Sequence, residues 1–175
     1  MLLAEPAKWL SQGDIFLEVP VPDIHTSSRS GPALLVTYNC ALDKRTGSGK
    51  SKVTHLNFLP VRDVTALQPP DLARNLRSRP TSLTPYTALY LGDVPQVGEG
   101  YVNLMECFTL PISEFAVQIE DFSEELSTGD PDEDCFRLVD SSSRTRISTL
   151  SSSHHALFLE KWRAHWTGTF QGGNE

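Results

Sequence analysis

The sequence predicts a mainly β protein, a small barrel or sandwich with helical additions. Three observations carry that expectation. Short β-branched and aromatic runs recur between glycine- and proline-rich turns. No internal repeat interrupts them. Near the C-terminal end Leu159, Trp162 and Trp166 fall at i, i+3 and i+7, one face of a helix.

The elements follow in order. Residues 1–12 read as a lead-in with one helical turn around Lys8, Trp9 and Leu10. After Gly13-Asp14, the run Ile15–Val19 reads as a strand, ended by Pro20 and Pro22. Ala33–Tyr38 is a continuous apolar strand with the pattern of burial on both faces. A basic loop from Lys44 to Lys52 separates it from Val53–Val61, where Leu56, Phe58 and Pro60 face the core. Pro69-Pro70 opens a short helix over Asp71–Arg77. Tyr86–Leu91 and Tyr101–Met105 are strands bounded by Gly92-Asp93 and Gly98-Glu99-Gly100 turns, and Phe108–Pro111 closes the series. Residues 120–134 form an acidic loop, and Phe136–Val139 one more strand. A serine from Ser151 to Ser153 caps the last helix and Gly168 stops it. The chain thus reads as one domain over residues 1–175. It has a β-barrel core at 13–111, an acidic insertion or loop region at 112–149 and a C-terminal helix at 150–167.

Composition narrows the class. The 175 residues are 39% hydrophobic and 21% charged, too apolar for a wholly disordered chain. No window approaches the roughly 20 apolar residues of a membrane span. The first residues lack the basic and apolar regions of a signal peptide. Cys40, Cys107 and Cys135 make an odd count without metal spacing, which fits a reducing compartment, and a cytoplasmic location is expected. The net charge of −7 is unevenly spread: residues 29–79 carry +6, whereas residues 80–136 hold twelve acids and no Lys or Arg. The basic part is suited to phosphate and the acidic part repels it.

Few patterns carry chemistry. Gly49-Lys50-Ser51 ends like a phosphate loop, but Lys44 stands at the first glycine position and a strand follows instead of a helix. Cys40, Asp43 and His55 are spaced to meet across adjacent strands, the arrangement a thiol nucleophile and its base require. His154 and His155 point about 100° apart on a helix and do not chelate one metal. Asp130, Asp132 and Asp134 begin like a calcium loop, yet Cys135 replaces its turn glycine and Ser141 its twelfth-position acid. No metal and no cofactor is expected.

Three short motifs resemble the opening of the MazF/PemK growth-inhibitor proteins, which are SH3-like barrels. They are Gly13-Asp14-Ile15, Pro32-Ala33-Leu34-Leu35-Val36-Thr37 and Leu59-Pro60-Val61, within residues 13–62, about a third of the chain. The resemblance implies a small SH3-like barrel and a toxin–antitoxin or defence role directed at single-stranded RNA. Toxins of that family cleave RNA without metal, using an arginine before the proline and a hydroxyl after the later Pro-Val. Here Gly31 and Arg62 stand at those two places, so the resemblance implies an altered and inactive ribonuclease site at Arg62 and Thr37. Arg29, Lys44, Arg45, Lys50 and Lys52 would then contact RNA. The Thr37-Tyr38-Asn39-Cys40 stretch is similar to bacterial and phage barrel proteins of unknown function. Two alternatives stand beside the RNA reading. One is a noncatalytic module that meets a protein partner or a second copy through the acidic stretch or the Trp162/Trp166 helix. The other is a thiol-dependent enzyme using Cys40.

Overall fold

The computed structural model describes residues 1–7, 9–22, 29–42, 53–115, 117–121, 136–140 and 146–167. Ten strands appear among them: β1 (Leu3–Ala4), β2 (Asp14–Val21), β3 (Arg29–Leu35), β4 (His55–Asp63), β5 (Ala88–Val94), β6 (Gly98–Asn103), β7 (Phe108–Pro111), β8 (Val117–Asp121), β9 (Phe136–Asp140) and β10 (Arg146–Leu150). The α-helices are α1 (Asn39–Leu42), α2 (Pro70–Ser78) and α3 (Ser152–Thr167). Eight strands form one sheet in the order β1-β10-β2-β3-β4-β6-β5, with β7 paired to the first half of β4. All its ladders are antiparallel. β8 and β9 make a separate two-stranded ladder, so the acidic stretch begins inside a strand, and residues 122–135 lie outside the described residues.

The side-chain period of two sends successive residues to opposite faces, and here both faces are covered. Ile15, Leu34, Leu59, Val61, Leu89 and Val102 pack on one face with Phe158 and Trp162 of α3. Phe16, Ala33, Leu35, Leu56 and Phe58 pack on the other, where Phe58 stacks on Phe115 at 5.0 Å and meets Phe16 edge-on at 5.9 Å. Over β5 and β6 that second face is closed by Ala73 and Leu76 of α2. Pro70 at the start of α2 supplies a helical φ without needing its missing N–H.

These ladders correct the expected fold. The sheet draws β1 and β10 from outside residues 13–111, and no ladder among the described residues joins β1 to β5. The fold is mixed α/β around an open sheet, not a small SH3-like barrel. The physical reason lies at the β5 edge. The Thr87 carbonyl points inward and accepts from Leu104 N, so the Ala88 and Tyr90 carbonyls point to the free edge. Both are taken by side chains of α3. Lys161 Nζ donates to Ala88 O at 2.8 Å, and His154 Nε2 donates to Tyr90 O at 2.5 Å. A helix blocks the edge that another strand would need for closure.

The opposite end of the sheet is fixed by a buried ion pair. Arg146 Nη1 donates to Asp14 Oδ2 at 2.8 Å, with both side chains almost fully buried. The same guanidinium donates to the Trp9 and Ala7 carbonyls, which fastens the lead-in segment to β10. Gly13, at φ +100°, donates to Leu35 O and accepts from Leu150 N, so it joins β3 to β10. A Cβ there would press on Leu150 at 3.3 Å in a backbone conformation that favours glycine.

Candidate functional site

The buried face of α3 is His154, Leu157, Phe158, Lys161 and Trp162, a spacing of i, i+3, i+4, i+7 and i+8. Lys161 is 1% exposed, and its ammonium donates to Leu83 O at 3.0 Å, Pro85 O at 2.8 Å and Ala88 O. Burial pushes it down to about 8, with three carbonyls around it. His154 must carry its proton on Nε2, because a carbonyl only accepts. Its buried Nδ1 has no partner among the described residues, and burial holds the imidazole below its ordinary value. Both groups act as strand-edge caps.

The second face of α3 is different. His155, Leu159, Trp162, Arg163, Trp166 and Thr167 line a groove of about 560 Å³, closed on the other side by Gln12, Tyr38 and Asn39. Trp166 is 62% exposed and Tyr38 50% exposed, both unusual for large aromatic side chains. The Trp162 and Trp166 rings meet edge to face at 5.7 Å. Below them the polar groups are locked together. Gln12 Nε2 donates to Val36 O at 2.8 Å, which fixes its amide so that Oε1 accepts from His155 Nε2 at 3.3 Å. Gln12 N donates to Asn39 Oδ1 at 2.7 Å. The floor is therefore rigid.

The residues singled out from the sequence fall elsewhere. Thr37 is 6% exposed and its hydroxyl accepts from Asn57 N at 2.8 Å, tying the end of β3 to β4. Arg62 lies at the far end of β4 and donates to Glu106 Oε2 through Nε at 2.8 Å. Arg62 stands five positions beyond Asn57 on β4, about 17 Å at a strand's rise, so Thr37 and Arg62 do not converge. His55 is exposed at the start of β4, with Nδ1 3.0 Å from the Thr54 hydroxyl. It stands about 23 Å from Arg62 along the strand. Cys40 is in α1 and Arg29 begins β3; their side chains lie outside the described set. Asp43, Lys44, Arg45, Lys50 and Lys52 lie outside the described residues altogether.

A second polar cluster sits over β5 and β6. Arg77 of α2 donates through Nη2 to Glu99 Oε2 at 2.6 Å, and the Tyr90 hydroxyl donates to Glu99 Oε1. Arg77 and Tyr90 together hold the Glu99 carboxyl below its ordinary range, while burial and the Glu99 contact push the Tyr90 phenol up to about 12. These groups satisfy one another and tie α2 to the sheet. Among the described residues no group of three or more His, Cys, Asp or Glu is placed to hold a metal ion. No helix among them is long and apolar enough to cross a membrane.

Sequence reasoning had named Trp162 and Trp166 on one stripe and had missed Tyr38, Gln12 and Asn39. Gln12 lies just before β2 and Tyr38-Asn39 just after β3, and the pairing of β2 with β3 brings the two segments together. Comparison with known proteins changes the family reading as well. Neither a family model nor a curated protein matches this chain, so the MazF/PemK assignment has no support beyond its short motifs. With the sheet open, those motifs are strand and turn signals, and the toxin–antitoxin and RNA-binding assignments that rested on them are withdrawn.

Proposed function

We propose that this protein is a noncatalytic interaction module that holds a segment of a protein partner in the groove beside α3. The observation that carries the reading is the joint exposure of Tyr38 and Trp166 across one rigid-floored groove. Exposed aromatic rings around a concave surface are a common basis of protein recognition, since they bring large contact area at low entropy. The rest of the reading follows from what the neighbouring polar groups are doing. Thr37, His154, Lys161, Arg77 and Glu99 are engaged in holding elements together.

The test is selection from a displayed library of short peptides, followed by titration of the selected ones. Wild type should bind them saturably. Trp166→Ala and Tyr38→Ala should each weaken binding by about tenfold or more while melting like wild type. Cys40→Ser should bind as wild type does. Selected peptides that bind both aromatic variants unchanged would contradict the reading. So would a turnover activity that disappears on Cys40→Ser alone.

A further inference from the structure

We infer that the segment after α3, residues 168–175, folds back into the α3 groove with Phe170 against Trp166 and competes there with the partner segment. This rests on the interaction-module reading and names what regulates its groove. The segment lies outside the described residues, and its place, polarity and charge point to it as the occupant.

Place comes first. Thr167 ends α3 and lines the groove, so the segment starts at the groove's edge. Phe170 is three residues further on, a reach of about 10 Å at full extension. A glycine after a helix turns the chain back over the last turn, because it takes a left-handed backbone without a Cβ clash, and such endings often bring an apolar side chain onto that turn. Gly168 stands at that position. Phe170 is the one large apolar side chain of residues 168–175, and Trp166 is the exposed ring of the last turn of α3.

Polarity and charge agree with place. The lining both donates and accepts. The Trp166 indole and the Arg163 guanidinium donate, the Tyr38 hydroxyl does either, and Asn39 Oδ1 keeps a second lone pair beside the one that takes Gln12 N. The Thr167 hydroxyl donates to Arg163 O at 2.9 Å and is an acceptor as well. A mixed lining suits a neutral polar segment, and Thr169, Gln171, Asn174 and the glycine-rich backbone supply both kinds of group. Arg163 is the charged side chain of the lining, and residues 168–174 carry no charge, so docking brings no second charge into the groove. Attachment to the helix end sets an effective concentration of about millimolar, which populates a contact too weak to hold the same octapeptide in solution.

The test is NMR on the full chain. Nuclear Overhauser contacts between the Phe170 and Trp166 rings are expected, and Phe170→Ser should shift the Trp166 indole signal at unchanged melting temperature. A chain in which residues 169–175 are exchanged for alternating glycine and serine should bind the library-selected peptides about three- to tenfold more tightly than wild type, and Phe170→Ser should give most of that gain. Equal affinity in all three chains, or no contact between the two rings, overturns the inference and leaves the interaction-module reading standing. If the affinities are equal and Trp166→Ala does not change them either, both fall.

Discussion

Replacing Lys161 with methionine isolates the role of the α3 edge cap. The substitution keeps the aliphatic stem and removes the ammonium, leaving the carbonyls of Leu83, Pro85 and Ala88 without that donor. An orphaned buried acceptor costs about 1–3 kcal/mol. Two effects reduce the sum. Water can reach part of the loop, and the protein no longer desolvates a charge. A net loss of about 2–4 kcal/mol follows, a large share of a total near 5–15 kcal/mol. In urea unfolding this should lower the midpoint by about 1–2 M with little change in slope. The pH dependence supplies a second readout. The folded ammonium titrates near 8, against an ordinary value of 10.5. Between those values the unfolded chain binds more protons, so wild-type stability should rise with pH across that window. Lys161→Met should lack that rise. A variant with the wild-type midpoint and the same alkaline rise would refute the idea that this lysine caps the sheet edge.

Three further outcomes follow from the same geometry. His154 titrates below its unfolded value because burial disfavours the cation, so the unfolded chain takes up the proton first. Melting temperature should therefore fall as pH drops below about 6.5, and His154→Gln, which keeps a donor for Tyr90 O, should flatten that limb. Trp162→Ala should cost about 3–5 kcal/mol by chemical denaturation, whereas Trp166→Ala should change stability by no more than about 0.5 kcal/mol. Equal losses would place both rings in the core. Asp14→Asn should destabilise by about 3–5 kcal/mol, because it leaves the Arg146 guanidinium buried without its anion. It should also speed proteolysis of the first ten residues, which Arg146 fastens through Ala7 and Trp9.

The strands were legible where local chemistry dictates them. Ile15–Val19, Ala33–Tyr38 and Val53–Val61 announce themselves by β-branched and aromatic runs; the first lies within β2, while the other two overlap β3, which ends at Leu35, and β4, which starts at His55. The order of those strands was not legible. β10 pairs with β1 and with β2 through contacts 130 to 147 residues apart, which no local pattern encodes. The helix at the end was found by its apolar stripe, but the stripe misled about its face. Leu159, Trp162 and Trp166 lie along the groove, with Trp166 mostly in solvent. The buried face includes His154 and Lys161, polar residues that a hydrophobic pattern assigns to the surface. Only the free carbonyls of β5 explain why those two belong inside. The barrel expectation failed for the same reason, since the helix that covers the β5 edge looked, in sequence, like an addition to a closed sheet.

The most direct test of the interaction groove is fluorine NMR of protein labelled with 5-fluorotryptophan. The chain has three tryptophans, Trp9, Trp162 and Trp166, of which the last two line the groove. Their signals are assigned with Trp→Phe variants, and a peptide selected from the displayed library is then added in steps. The account predicts that the Trp166 and Trp162 signals move together and saturate, that the Trp9 signal stays in place, and that Tyr38→Ala weakens the response. Saturable binding that leaves the Trp166 and Trp162 signals unmoved would contradict it.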